Sequence, residues 1–165
     1  MMRSMSTGFH DAHADDRATT SLNRIAFLAT VHCLTGCAIG EILGMVIATA
    51  LGWGDAASIA LAVVLAFTFG YALTLVPILR AGIPRRRAAR LAIASDTLSI
   101  TTMELVDNAF ILLVPGAMAA GLGDSLFWLT LGASLVIAFA ATFPVNRWLI
   151  ARGRGHAVVH GLHAH

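Results

Sequence analysis

Arg80-Ala-Gly-Ile-Pro-Arg-Arg-Arg-Ala-Ala-Arg90 is a short polar segment with long apolar sequence on both sides, and it sets the organisation of the whole chain. All eleven basic residues are arginines, and those outside this segment lie towards the two ends: Arg3, Arg17, Arg24, Arg147, Arg152 and Arg154. Short cytoplasmic loops of membrane proteins retain Arg and Lys. The three arginine clusters therefore predict that the N-terminus, the 80–90 loop and the C-terminus all lie in the cytoplasm.

Four apolar runs surround and flank this loop, at residues 22–51, 56–79, 91–120 and 125–149. Each run exceeds the about 20 residues that a helix needs to cross a bilayer. The turns Gly52-Trp-Gly-Asp55 and Gly121-Leu-Gly-Asp124 contain an acid and no base, as expected on the opposite side of the membrane. We predict an all-α membrane protein with four transmembrane helices.

Composition agrees with this fold class. The 165 residues are 58% hydrophobic and 12% charged, which is outside the range of soluble domains. We expect a cytoplasmic polar tail at 1–21, a transmembrane domain at 22–150 and a cytoplasmic His-rich tail at 151–165. Residues 1–21 lack the apolar core of a signal peptide, so the first helix is expected to remain as an anchor. The arginines suit anionic lipid head groups, and no basic and aromatic surface indicates nucleic acid.

The two predicted hairpins resemble each other. Both contain the Gly-x-Gly-Asp turn, and Val76-Pro-Ile-Leu-Arg80 matches Phe143-Pro-Val-Asn-Arg147 at the same place in the second hairpin. Parallel repeats of this kind occur in transporters. Glycine and aspartate are also common in unrelated turns. A duplicated hairpin and a coincidence of turn chemistry both remain open.

Helix 1 contains two lines of residues that are spaced by four. Cys33, Cys37 and Glu41 form one line at 100° per residue. The second line lies beside it, is bordered by His32 and consists of three glycines: Gly36, Gly40 and Gly44. Glycines at this spacing allow another helix to approach closely, so we expect them to serve helix packing. The neighbouring functional groups should then face protein, away from lipid.

Helix 3 contains an unusual number of polar residues for a transmembrane segment: Asp96, Ser99, Met103, Glu104, Asp107 and Asn108. A charged side chain at the bilayer centre costs roughly 2.5–3.5 kcal/mol on insertion scales. No arginine lies at this depth to pair with the acids. Three explanations remain: some acids carry a proton, a cation balances them, or the residues form a structural polar network.

The polar residues of helices 1 and 3 are predicted to lie at the same depth. Counting about 1.5 Å per residue from Arg24 and Arg90 places Cys37 level with Met103, and Glu41 level with Asp107. The candidate metal ligands are His32, Cys33, Cys37, Glu41, Met103, Glu104 and Asp107. The candidate proton or cation path adds Asp96, Ser99 and Asn108. Thiolate and thioether favour Cu(I), whereas imidazole with carboxylate suits zinc or iron.

The leading functional hypothesis is an inner-membrane protein that binds or translocates a transition-metal cation, with copper as first choice. Four helices enclose a narrow pore, so we expect a homo-oligomer if an ion crosses. Histidines in the tails form a second candidate metal site: His10, His13, His156, His160, His163 and His165. The alternatives are a proton-coupled transporter, an accessory subunit that docks through the glycine line, a thiol redox enzyme using Cys33 and Cys37, or a hydrolase with Glu104 as general base.

Three motifs carry a resemblance to a known family. They are His32-Cys-x-x-Gly-Cys-x-x-Gly-Glu41, Asp96-Thr-x-Ser-Ile-Thr-Thr-Met-Glu-x-x-Asp-Asn108 and Pro144-Val-Asn-Arg-Trp-Leu-Ile150. Over roughly residues 22–160 the chain resembles the bacterial membrane family catalogued as domain of unknown function 4396. The resemblance implies a multi-pass protein of the bacterial inner membrane and implies no activity.

Overall fold

The computed structural model describes residues 7–152, with side chains from residue 19 onward. It contains four α-helices in this part of the chain and no strand: α1 Thr7–Leu51, α2 Asp55–Arg80, α3 Arg85–Leu113 and α4 Ser125–Ala151. The prediction of an all-α protein is confirmed. The histidines of the C-terminal tail and the side chains of His10 and His13 lie outside the described residues.

Three of the helices are long and apolar enough to cross a membrane: Thr19–Leu51, Asp55–Arg80 and Ser125–Ala151. The molecule therefore has the helices of a membrane protein, with apolar surface that suits contact with a lipid bilayer. α3 is absent from this group because its sequence contains three acids and begins with a cluster of arginines.

Helix α3 ends at Leu113, seven residues before the end of the predicted run at residue 120. Val114 leaves the helical conformation, with φ −89° and ψ 114°. It precedes Pro115, and a residue before proline is disfavoured in the α region. Gly116 then adopts a positive φ of 82°, which a side chain would strain. The sequence signal for this end was present in the Val-Pro-Gly triplet.

Helix α1 begins at Thr7, well before the predicted start at residue 22. Its 45 residues span roughly 67 Å at 1.5 Å per residue. That length is about twice the thickness of a bilayer's hydrocarbon core. Helix α1 as a whole is therefore longer than a membrane crossing requires.

Helices α1 and α2 pack at backbone distance along the glycine line, Gly36, Gly40 and Gly44. A Cβ atom added to Gly36 would lie 2.7 Å from the Cα atom of Gly70. One added to Gly44 would lie 2.6 Å from the Cα atom of Ala62. One added to Gly40 would collide with the backbone of Ala66. The predicted packing role of these glycines is thus visible, with α2 as the partner.

Helix α3 turns its acids towards the other helices. Asp96, Glu104 and Asp107 are 1%, 5% and 0% exposed. The exposed face of α3 is apolar instead, as its large exposed residues show: Ile93, Leu98, Leu105, Leu112 and Leu113. The polar character of α3 therefore comes from residues that face the bundle interior and from its first arginines.

Candidate functional site

The two ends of the bundle differ in charge. Every described arginine is exposed. Near the end of α4, Arg147 Nε donates a hydrogen bond of 2.7 Å to Oδ1 of Asn23 on α1. The end that holds the arginines is called the arginine end, and the end with the Gly-x-Gly-Asp connections is called the turn end. Between them, α1 and α3 place a row of buried polar groups that we call the polar column.

The level of the column nearest the arginine end contains His32, Thr74, Ser95 and Asp96. A hydrogen bond of 3.0 Å joins His32 Nε2 to Thr74 Oγ1 on α2. Ser95 Oγ donates to Asp96 Oδ1 at 2.7 Å. Asp96 also interacts electrostatically with His32. His32 therefore faces α2 and Asp96, and Asp96 also lies near Cys33.

The middle level contains the sulfur atoms. Cys33, Cys37 and Met103 are 1%, 0% and 0% exposed and belong to one packed cluster. Both cysteines are free thiols. The carboxyl group of Glu104 lies beside Cys37. Two thiols and a thioether are thus enclosed by α1 and α3, next to a buried acid.

A hydrogen-bond network fixes the helices around this level. Asn146 Nδ2 on α4 donates to Thr30 Oγ1 on α1 at 2.9 Å. Ser99 Oγ on α3 donates to the Oδ1 atom of the same Asn146. Cys33 lies next to Asn146 as well. One amide side chain therefore connects α1, α3 and α4 at the depth of the first cysteine.

The level nearest the turn end contains two carboxyl groups, those of Glu41 and Asp107. They lie close enough to interact electrostatically. None of their four oxygen atoms has a hydrogen-bond partner among the described residues. Ser134 on α4 lies next to Asp107. Glu41 and Asp107 therefore meet at the depth that the sequence predicted, with unused oxygen ligands.

These two carboxyl groups line a cavity of about 60 Å³ near the turn end. Its lining includes residues from all four helices and from the α3–α4 connection: Glu41, Met45, Ser58, Asp107, Met118 and Thr130. A water molecule needs about 10–15 Å³ of such volume. The cavity therefore has room for a small ion with several waters or ligand atoms.

The charges of the column are unbalanced among the described residues. The acids Glu41, Asp96, Glu104 and Asp107 are buried, whereas every described arginine is exposed. Buried charges are costly unless they are paired. The column therefore requires protons, a cation or both, with His32 as the one basic side chain within it.

The predicted ligands are distributed over the three levels and do not meet at one point. Within the described residues, no group of three or more His, Cys, Asp or Glu side chains is placed to hold a metal ion. Cys33, Cys37 and Met103 lie in one packed cluster with Glu104 beside Cys37, whereas the hydrogen bond of His32 goes to Thr74 on α2. Asn108 Nδ2 donates to the Glu104 main-chain carbonyl at 2.9 Å.

Sequence reasoning missed several polar residues of the site, among them Thr74, Ser134 and Asn146. Thr74 and Ser134 are isolated polar residues in apolar runs, which gave no periodic signal. Asn146 lies in the Phe-Pro-Val-Asn-Arg segment, which is part of the hairpin comparison and of a family motif but gave no indication of a place in the site. Their contribution depends on contacts between helices that are distant in sequence.

Residues 23–155 match the family described as Domain of unknown function (DUF4396). The chain belongs to this family. The match covers the polar column and nearly all of the four-helix bundle, and it confirms the resemblance inferred from the three motifs. No curated protein and no solved structure matches the chain. Membership of the DUF4396 family therefore shows common ancestry and indicates no particular activity.

Proposed function

We propose that this DUF4396 protein binds a transition-metal cation inside a four-span bundle of the bacterial inner membrane and passes it along the polar column. Cu(I) is the preferred ion. The observation that carries the proposal is the cluster of Cys33, Cys37 and Met103, whose sulfur-containing side chains are enclosed together between α1 and α3. Soft thiolate and thioether ligands select Cu(I).

The acid beside the thiols gives this cluster a way to bind a metal. A cysteine binds metal as the thiolate, so binding releases protons. Glu104 lies beside Cys37 and is positioned to accept such a proton. Cys33, Cys37 and Met103 would then hold the ion, while the four column acids compensate its charge or exchange protons.

The four-span topology is part of the proposal. The apolar exposed face of α3 supports a fourth crossing, because the acids of α3 need not meet lipid. The arginines support a cytoplasmic arginine end. Reporter fusions after Gly54, Gly82 and Gly123 and at the C-terminus test this arrangement. A C-terminus on the side opposite the 80–90 loop would show that α3 does not cross.

The binding experiment measures metal content of the full-length protein in detergent, with the tail histidines replaced by alanine. The wild type is compared with Cys33→Ser/Cys37→Ser after exposure to Cu(I). Ala38→Ser is the matched control, since it adds a hydroxyl group to α1 and leaves both thiols in place. We expect copper in the wild type and the control, and loss of the ion bound at the sulfur cluster in the double variant.

An unchanged copper content in the double variant, or the absence of copper from a folded wild type, would contradict the proposal. A liposome flux assay then separates translocation from sensing or storage. Metal-loaded protein that shows no metal flux would leave binding without transport.

A second candidate is conduction of protons or small cations along the column. It is favoured by the succession of titratable side chains from His32 and Asp96 to Glu41 and Asp107. Proton flux in liposomes that persists in Cys33→Ser/Cys37→Ser would support this function instead. Docking of a partner through the glycine line is less favourable, because α2 already covers that face.

A further inference from the structure

The methionines with described side chains all lie at the polar column. Met103 belongs to the sulfur cluster of the middle level. Met45, on α1, and Met118, in the α3–α4 connection, both line the cavity near the turn end. Sequence reasoning singled out Met103 alone. Thioether groups are therefore present at two depths of the same column.

Met45 continues the line of Cys33, Cys37 and Glu41 by one further step of four residues. Successive members lie about 6 Å apart along the axis, because each residue of a helix adds 1.5 Å. The line therefore leads from the sulfur cluster through Glu41 to the cavity. We call these four residues the ligand line.

The acids of the cavity indicate that its ligand is a cation. Glu41 and Asp107 are 8% and 0% exposed, and both line the cavity. Their oxygen atoms have no hydrogen-bond partner among the described residues. A buried carboxylate in this state is stabilised by a positive charge placed in the cavity.

We propose that the cavity is a second soft-metal site, in which the thioethers of Met45 and Met118 bind a monovalent ion such as Cu(I) and the carboxylates of Glu41 and Asp107 balance its charge. This inference rests on the proposed function, because the same ion occupies both levels. It adds the port through which the sulfur cluster exchanges its ion with the turn end.

The donor set favours a soft ion over a hard divalent one. Calcium takes six to eight oxygen ligands, and magnesium requires a near-ideal octahedron. The cavity offers two carboxyl groups, a few hydroxyl groups such as those of Ser58 and Thr130, and otherwise mainly apolar walls. Thioethers are neutral soft ligands that such walls accommodate.

Methionine also fills gaps in ordinary cores. The experiment must therefore separate ligation from packing. Methionine to leucine is a volume-conserving exchange that keeps the packing and removes the sulfur. Met45→Leu/Met118→Leu thus tests ligation, and Ile59→Leu/Ile111→Leu is the matched control, since both isoleucines line the same cavity without a ligand atom.

The measurement is a titration of the full-length protein in detergent with Ag(I), a soft monovalent ion that does not change oxidation state, again with the tail histidines replaced by alanine. We expect about two tightly bound ions per chain in the wild type and the isoleucine control. Met45→Leu/Met118→Leu should keep about one, with the other bound at least tenfold more weakly. With two silver ions loaded per chain, X-ray absorption should show fewer sulfur neighbours per ion in the methionine variant than in the wild type if the thioethers are ligands.

The outcomes separate the two proposals. Loss of one ion in the methionine variant, from protein with an unchanged unfolding temperature, supports the cavity site. Unchanged stoichiometry and affinity in that variant overturns it, and so does a single wild-type ion that only Cys33→Ser/Cys37→Ser removes, which leaves the sulfur cluster standing. Loss of an ion in the methionine variant, with no loss in Cys33→Ser/Cys37→Ser, supports the cavity site. It contradicts the proposed function, because the sulfur cluster then binds no ion.

Discussion

Two lines of residues run along α1 with the same spacing of four and have different consequences. The glycine line contacts α2, where small residues oppose it and the two backbones nearly touch. The ligand line of Cys33, Cys37, Glu41 and Met45 faces buried sulfur, acids and a cavity. Identical periodicity thus gives close packing along one line of α1 and a candidate site along the neighbouring line.

The two lines differ in whether they leave polar atoms without a hydrogen-bond partner. The glycine line removes side chains, and the backbone of α2 fills the space completely. The ligand line retains polar atoms, and both carboxyl oxygens of Glu41 have no hydrogen-bond partner among the described residues. Packing should therefore depend on volume along the glycine line, and binding should depend on ligand chemistry along the ligand line.

Gly40→Leu should have the largest effect, because a side chain at this position meets the backbone of Ala66, which cannot move aside. We expect a loss of stability of about 3 kcal/mol or more, the upper part of the range for overpacking. Unfolding in detergent and the fraction of monodisperse protein measure it.

Gly132→Leu is the control for that prediction. Gly132 is an exposed helical glycine with no atom within 4 Å of an added Cβ, so the leucine should be tolerated. Equal stability of the two variants would show that the close approach of α1 and α2 is not needed for folding.

Met103→Leu should weaken metal binding at the sulfur cluster, which Met103 forms with two residues of the ligand line, without disturbing packing. Leucine keeps most of the volume and removes the thioether. We expect Cu(I) binding at the sulfur cluster to weaken about tenfold, which corresponds to about 1.4 kcal/mol. Competition with a copper chelator measures the change. Ile100→Leu, in the same cluster, should leave affinity unchanged, and an equal loss in both variants would argue for packing alone.

The depth of the polar residues was predictable, because it follows from helical rise and from the arginines that mark one end. Glu41 therefore meets Asp107 as expected. His32 borders the glycine line, and it contacts Thr74 on α2, the helix that packs against that line. Adjacent residues of a helix point about 100° apart, and the contact with Thr74 on α2 depends on a helix whose rotation the sequence did not indicate.

Met45 was missed although its spacing was visible. Acids and cysteines are unusual in a membrane helix and therefore stand out in the sequence. A methionine in an apolar run is not unusual, so Met45 does not stand out. The role of Asn146 depends on three helices meeting at one side chain. The spacing of residues along single helices cannot predict a contact among three helices.

Asn146→Ala should loosen the attachment of the ligand line to α3 and α4. It removes the hydrogen bonds to Thr30 and Ser99. Interhelical hydrogen bonds in membranes contribute about 0.6 kcal/mol on average and about 1.7 at most. We expect a loss of stability in that range, with copper still bound. Denaturation in detergent checks the first part, and metal content checks the second.

Thr142→Val should have the smallest effect. It tests whether the effect of Asn146→Ala comes from the loss of its hydrogen bonds. Thr142 lies one turn before Asn146 on α4 and is fully buried, yet its Oγ1 atom has no hydrogen-bond partner among the described residues. Valine has nearly the same shape and removes an unsatisfied hydroxyl group, whose burial has a cost. Stability should therefore stay the same or rise slightly in the same denaturation experiment. A loss as large as that of Asn146→Ala would mean that shape alone holds α4 against the ligand line, and that the hydrogen bonds of Asn146 contribute nothing specific.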